Sequence, residues 1–193
     1  SKAPKKQKYK RIPMMANALR NPKWGYRFLL LFLCALILLL NLLPINTAPS
    51  VWSAPDLIAC LIFAWTLRRP SYAPTILVAL IAFSADMILQ RPPGLYAAGF
   101  LIANEFLRSR AADIGTGSFT IEWAYVALAL IAALIFKRLL LHITLADNNS
   151  LSLTLTQLLI TLLAYPVVAA FCHFALKLRF QSPSDIRVKG ANP

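Results

Sequence analysis

Long apolar stretches separated by short polar breaks dominate the chain. From Phe28 to Leu43 only Asn41 interrupts the run. Such a run is too long for a soluble strand and lacks the alternation of an amphipathic helix. A bilayer core of about 30 Å is crossed by about 20 apolar residues in helical form. Three more stretches fit that length: Ala73–Leu89, Thr120–Phe136 (extended to Leu141) and Leu155–Leu176. Two shorter ones, Pro55–Leu67 and Gly94–Leu107, are lengthened at their ends or screened by neighbouring helices. The pattern therefore predicts an all-α integral membrane protein with six transmembrane helices, at about 28–43, 55–67, 73–89, 94–107, 120–141 and 155–176. A basic tail, 1–27, would precede the six-helix domain of 28–176, and a second tail, 177–193, would follow it.

Charge orients these spans. Nine Lys and Arg precede the first span and none lies between Pro44 and Ala54. With six spans and both termini inside, seventeen of the twenty bases fall on the inner side and three on the outer. Lys and Arg bias of this kind sets topology. The expected location is the inner (cytoplasmic) membrane. The first span follows a basic tail longer than a signal peptide's and has no A-x-A site close behind it, so it reads as a retained anchor. Residues 1–13 hold six bases without an apolar pattern and read as a mobile tail.

Composition agrees. The 193 residues are 59% apolar and 14% charged, where a soluble domain has about 45–50% and about 25%. The net charge of +13 would suggest nucleic acid in a soluble protein. Located as it is, the charge serves topology and contact with anionic lipid, and no nucleic-acid partner is expected. Cys34, Cys60 and Cys172 lie in apolar runs and read as small hydrophobes, and no metal or other cofactor is expected.

Ionisable groups inside spans are functional candidates by default. Asp56 follows Pro55 at the start of span two, as ordinary helix-start chemistry or as a partner for a base on another helix. Asp86 and Arg91 flank a corner tightened by Pro92, Pro93 and Gly94, where a structural ion pair between them or an interhelical hydrogen bond is expected; a site for a ligand or partner is the alternative. Asn104, Glu105 and Arg108 form a second corner, with Glu105 and Arg108 three residues apart on one helix face. Glu122 falls in the first turn of span five. Gly94, Ala98, Gly99 and Ala103 offer small residues for helix packing, either against a partner helix or inside the six-helix bundle. Pro166 should kink span six, a kink tolerated in a membrane when neighbours satisfy the freed carbonyl. No catalytic motif stands out, and the chain reads as not an enzyme.

The central segment carries a further signal. Pro55-Asp56-Leu57, Phe63-Ala64-Trp65, Arg68-Arg69-Pro70, Ala85-Asp86, Leu89-Gln90-Arg91-Pro92-Pro93-Gly94-Leu95 and Glu105-Phe106-Leu107-Arg108-Ser109-Arg110 occur in that order. Glu122-Trp123 and Tyr165-Pro166 follow. Over roughly Pro44 to Phe174 the chain resembles the rod-shape-determining membrane protein family MreD, in its alphaproteobacterial form. The resemblance implies a non-catalytic scaffold of the cell-elongation machinery that binds MreC. Through it, MreB and the RodA–transpeptidase synthase pair would be reached, and side-wall peptidoglycan synthesis and rod shape would follow. It also implies a fold similar to the substrate-binding subunits of energy-coupling-factor transporters; a homo-oligomer is left open. The rival expectation is a membrane binding subunit or transporter component for a small molecule or lipid precursor, with a pocket lined by Trp52, Asp86, Arg91 and Tyr96.

Overall fold

The computed structural model describes residues 22–43, 54–90, 92–115, 117–143 and 151–174. Among them are six helices and no strand: α1 (Pro22–Leu42), α2 (Leu57–Arg68), α3 (Thr75–Ile88), α4 (Leu95–Ile114), α5 (Phe119–Ile143) and α6 (Leu151–Phe174). The two charged tails, apart from residues 22–27, and the end of the sixth expected span at residues 175–176 lie outside the described residues.

Three of the helices, at Trp24–Leu42, Phe119–Ile143 and Leu151–Phe174, are long and apolar enough to cross a membrane. Their outward surfaces are as apolar as their inward ones: Phe32, Ile135, Leu163 and Val167 are all exposed. In water such a surface would be a large aggregation hazard; in lipid it is the ordinary exterior.

α2 is different. Its twelve residues rise only about 18 Å, yet every residue from Ile58 to Arg68 is buried. A helix apolar on all sides is stable only when covered on all sides. α4 and α6 provide most of that cover, and α1 adds a lighter contact. α4 in turn packs broadly on α3 and α5. Thus α2 and α4 form the centre, α1 and α3 lie on one flank, and α5 and α6 on the other.

Successive helices run antiparallel. Arg27 near the start of α1 donates to the carbonyl of Ser71 just beyond α2. Thr75 at the start of α3 donates to Glu105, eleven positions into α4. Phe106 of α4 meets Tyr125 of α5, and Arg138 of α5 donates to Thr154 of α6. The bundle therefore has two ends, named here for Asp56 and Arg68, the residues that bracket α2.

Helix limits depart from the hydropathy pattern where polar residues continue a helix. α4 runs seven residues past Leu107, through Arg108-Ser109-Arg110 to Ile114, since these residues break no backbone hydrogen bond. α1 starts six residues before Phe28, at Pro22, a residue suited to a first helical position.

Candidate functional site

A cluster of buried charges lies at the Arg68 end. Arg68 of α2 donates through Nη1 to Glu122 Oε1 of α5 at 2.8 Å, and Tyr165 of α6 donates to the same oxygen at 2.5 Å. Arg68 and Glu122 are 4% and 3% exposed. Three helices are thereby tied at one carboxylate oxygen. Glu122 does lie in the first turn of α5, but its role extends beyond that turn. Arg68, expected only as a topology charge, is instead a buried partner. Neither the pairing nor Tyr165 could be read from local sequence, because the three residues stand far apart in the chain.

Two residues before Arg68 in α2, Thr66 donates to Asn104 Oδ1 at 2.8 Å, with both side chains fully buried. Glu105 and Arg108 pair at 3.1 Å, as their spacing predicts. Arg108 also reaches the carbonyls of Pro70 and Ala73, while Glu105 accepts from Thr75. This second corner fastens α4 to the turn between α2 and α3. Tyr26 of α1 stacks on Tyr72 of the same turn at 4.9 Å.

Asp86 is fully buried at the other end. Its Oδ2 accepts from the backbone N–H groups of Gly94 and Ala97 at 3.0 and 3.1 Å. A carboxylate of α3 thus does the work of an N-terminal cap for α4, where the helix offers unpaired donors and a favourable dipole. Arg91, the expected partner across this corner, lies outside the described residues. Gly94 is no packing residue: a side chain there would meet nothing within 4 Å. Its requirement is backbone, with φ at +83°.

The rest of the small-residue face packs inside the bundle, one of its two expected uses. A Cβ on Gly99 would lie 3.0 Å from Phe136 Cδ1 and 3.3 Å from the Ala133 carbonyl oxygen. Ala103 is buried and Ala98 partly so. Gly99 allows α4 and α5 to approach each other, so this face is internal and not open to a partner helix.

Asp56 caps α2, its Oδ1 accepting from Ala59 N–H at 3.1 Å. It sits one position before the helix and not in its first turn. Its Oδ2 accepts from Tyr96 at 2.5 Å, and its own N–H donates to Thr161 Oγ1 at 2.9 Å. The partner from another helix is therefore a phenol. These groups line a cleft of about 80 Å³ with Phe100, Lys137, Thr154 and Gln157. The pocket expected from Trp52, Asp86, Arg91 and Tyr96 is not assembled: Trp52 and Arg91 lie outside the described residues, and Asp86 does not line the Tyr96 cleft. A cavity of about 400 Å³ at the Arg68 end touches Arg68, Glu122 and His173, but the two charges there bond to each other.

Pro166 lies inside α6, which continues through it to Phe174. Among the described residues no group of His, Cys, Asp and Glu could hold a metal ion, and the three cysteines are buried and unbridged. No protein-family model, curated protein or solved structure matches the chain.

Proposed function

We propose that the chain is a non-catalytic membrane scaffold of the MreD type, which binds MreC and helps to organise side-wall peptidoglycan synthesis. One observation carries the reading. Residues on which the resemblance rests also pin the bundle: Asp56 caps α2, Asp86 caps α4, Glu105 and Arg108 hold the α2–α3 turn, and Glu122, Trp123 and Tyr165 join α5 to α6. Intramembrane polar groups that bond to one another stabilise a frame, and these side chains are engaged in that way. The rival binding-subunit reading has less behind it, because Asp86 and Tyr96 bond to different groups.

In this reading all six helices span the inner membrane, with α2 and α3 screened by longer neighbours and both termini in the cytoplasm. The antiparallel order and the lopsided basic charge support that topology. A fold like the energy-coupling-factor binding subunits is part of the same proposal. A reporter fused to the C-terminus should work only as a cytoplasmic one.

The partner test is photo-crosslinking in the native membrane. A groove between α1 and α3, lined by Leu31, Leu38, Leu80 and Ile88, offers an unfilled apolar face. A crosslinker at Leu39 or Leu80 is expected to capture MreC, while one at Leu163 on the opposite flank is not. Absence of MreC from every adduct, with the protein inserted, would remove the scaffold reading.

A further inference from the structure

We propose that the cleft at the Asp56 end is a binding site for the headgroup of an aminophospholipid, entered sideways from the bilayer. This site is independent of MreC binding and goes beyond the scaffold reading.

The cleft has a floor and two walls. Asp56 and Ala59 of α2, with Tyr96 and Phe100 of α4, make the floor. Leu130, Ala133, Leu134 and Lys137 make one wall, a single stripe of α5 at helical spacing. Thr154, Gln157, Leu158 and Thr161 make the other, a matching stripe of α6. α5 and α6 are two of the three helices long enough to cross a membrane, and they touch each other far less than they touch the central helices. Since the floor belongs to the centre, the open side between these walls faces lipid.

The floor is rigid. Tyr96 stacks on Phe100 at 5.5 Å and Phe100 on Phe63 at 5.0 Å. It is also recessed. Thr161 is ten residues into α6, so Asp56, bonded to its hydroxyl, lies about 15 Å below the first residue of that helix. A carboxylate held at that depth is costly without a cationic or hydrogen-bonding partner. Its Oδ1 and Oδ2 each accept one bond, and a carboxylate has about four lone-pair sites.

Two charges of opposite sign thus meet one small cavity: Asp56 with its phenol partner in the floor, and Lys137 about one turn beyond Leu134 on the α5 wall. The complementary molecule is a zwitterion with an N–H-bearing ammonium toward Asp56 and Tyr96 and a phosphate toward Lys137. The volume of about 80 Å³ admits an ethanolamine-sized group. Leu130, Leu134 and Leu158 supply apolar contact where the acyl chains would leave between α5 and α6. A quaternary choline has no N–H to donate, and a glycerol headgroup has no cation, so both fit less well.

Native mass spectrometry of the protein, reconstituted from vesicles of phosphatidylethanolamine, phosphatidylcholine or phosphatidylglycerol, tests the site. Phosphatidylethanolamine should be retained about tenfold better than the other two, the size of one charge-assisted hydrogen bond. Asp56→Asn keeps the α2 cap and should erase the preference over phosphatidylcholine. Lys137→Gln should lower all three together. Leu134→Trp fills the cleft without touching its polar groups and should remove specific retention even where the Asp56 variant is not recovered. Equal retention of the three lipids, or a preference unchanged by Asp56→Asn or Leu134→Trp, would overturn the proposal. So would binding of soluble phosphoethanolamine as tightly as the lipid, which would mark the cleft as a site for a free zwitterion.

Discussion

The indole N–H of Trp123 donates to the carbonyl oxygen of Leu162 at 3.0 Å, and Leu162 stands four residues before Pro166. Proline has no N–H, so it leaves that carbonyl without its helical partner. In a membrane an orphaned carbonyl has no water to turn to. Trp123, on the neighbouring helix, supplies the missing donor and joins α5 to α6 at the same point. The pair explains why α6 continues through its proline.

Trp123→Phe should therefore destabilise the bundle by about 1 kcal/mol, within the range for intramembrane hydrogen bonds. In a Pro166→Ala background the helix supplies its own donor to Leu162, and the same substitution should cost clearly less. Unfolding measured over this double-mutant cycle gives the coupling directly. An equal cost in both backgrounds would mean that the indole acts by packing alone.

The Arg68–Glu122–Tyr165 cluster should show a sharper form of non-additivity. Glu122→Leu alone leaves a buried guanidinium uncompensated and should cost about 3–5 kcal/mol, seen as loss of folded protein. Replacing all three by apolar residues of similar size, as Arg68→Met, Glu122→Leu and Tyr165→Phe together, removes the charge and its partners at once. The triple variant should recover most of the folded yield. Tyr165→Phe alone removes one hydrogen bond and should cost about 1 kcal/mol.

How far these features are legible in the sequence depends on the range of the interaction. The apolar runs located all six helices because burial in lipid or in a neighbour leaves the same local mark. Glu105 and Arg108 were legible because three residues on a helix fix their distance. The Pro166 problem was legible too, but not its answer, since Trp123 lies 39 residues from Leu162. For the same reason Arg68 passed for a topology charge: nothing local distinguishes a base at a helix end from one folded back against a buried carboxylate. The small-residue face was ambiguous in principle. Close approach within the bundle and close approach to a partner use the same residues, and only the position of Phe136 decides between them.

The Asp86 cap carries a third prediction. Asp86→Asn retains an oxygen that can accept from Gly94 and Ala97, and should change stability little. Asp86→Leu leaves both N–H groups buried without an acceptor and should cost about 1–3 kcal/mol. Gly94→Ala should add about 1–2 kcal/mol of backbone strain at its positive φ, with no steric clash to blame. Thermal unfolding in detergent separates these outcomes. A large effect of the Asn variant would show that the negative charge, and not the acceptor, matters at this corner.

The last prediction concerns Gly99, where packing inside the bundle and docking of a partner give opposite results. A methyl group there lies 3.0 Å from Phe136 and 3.3 Å from the backbone oxygen of Ala133. The ring can rotate away, but the carbonyl belongs to α5 and moves only with the helix. Gly99→Ala should therefore cost about 1–3 kcal/mol, typical of an added methylene in a packed interior. Phe136→Leu should relieve the part due to the ring and leave the part due to the backbone. Gly99→Leu should lower the amount of folded, inserted protein whether or not MreC is present. A partner-facing glycine would behave otherwise: folded protein would be unchanged, MreC would no longer copurify, and Phe136→Leu would rescue nothing. Measuring folded yield and copurification on the same membranes distinguishes the two, and the contact with α5 predicts that yield falls first.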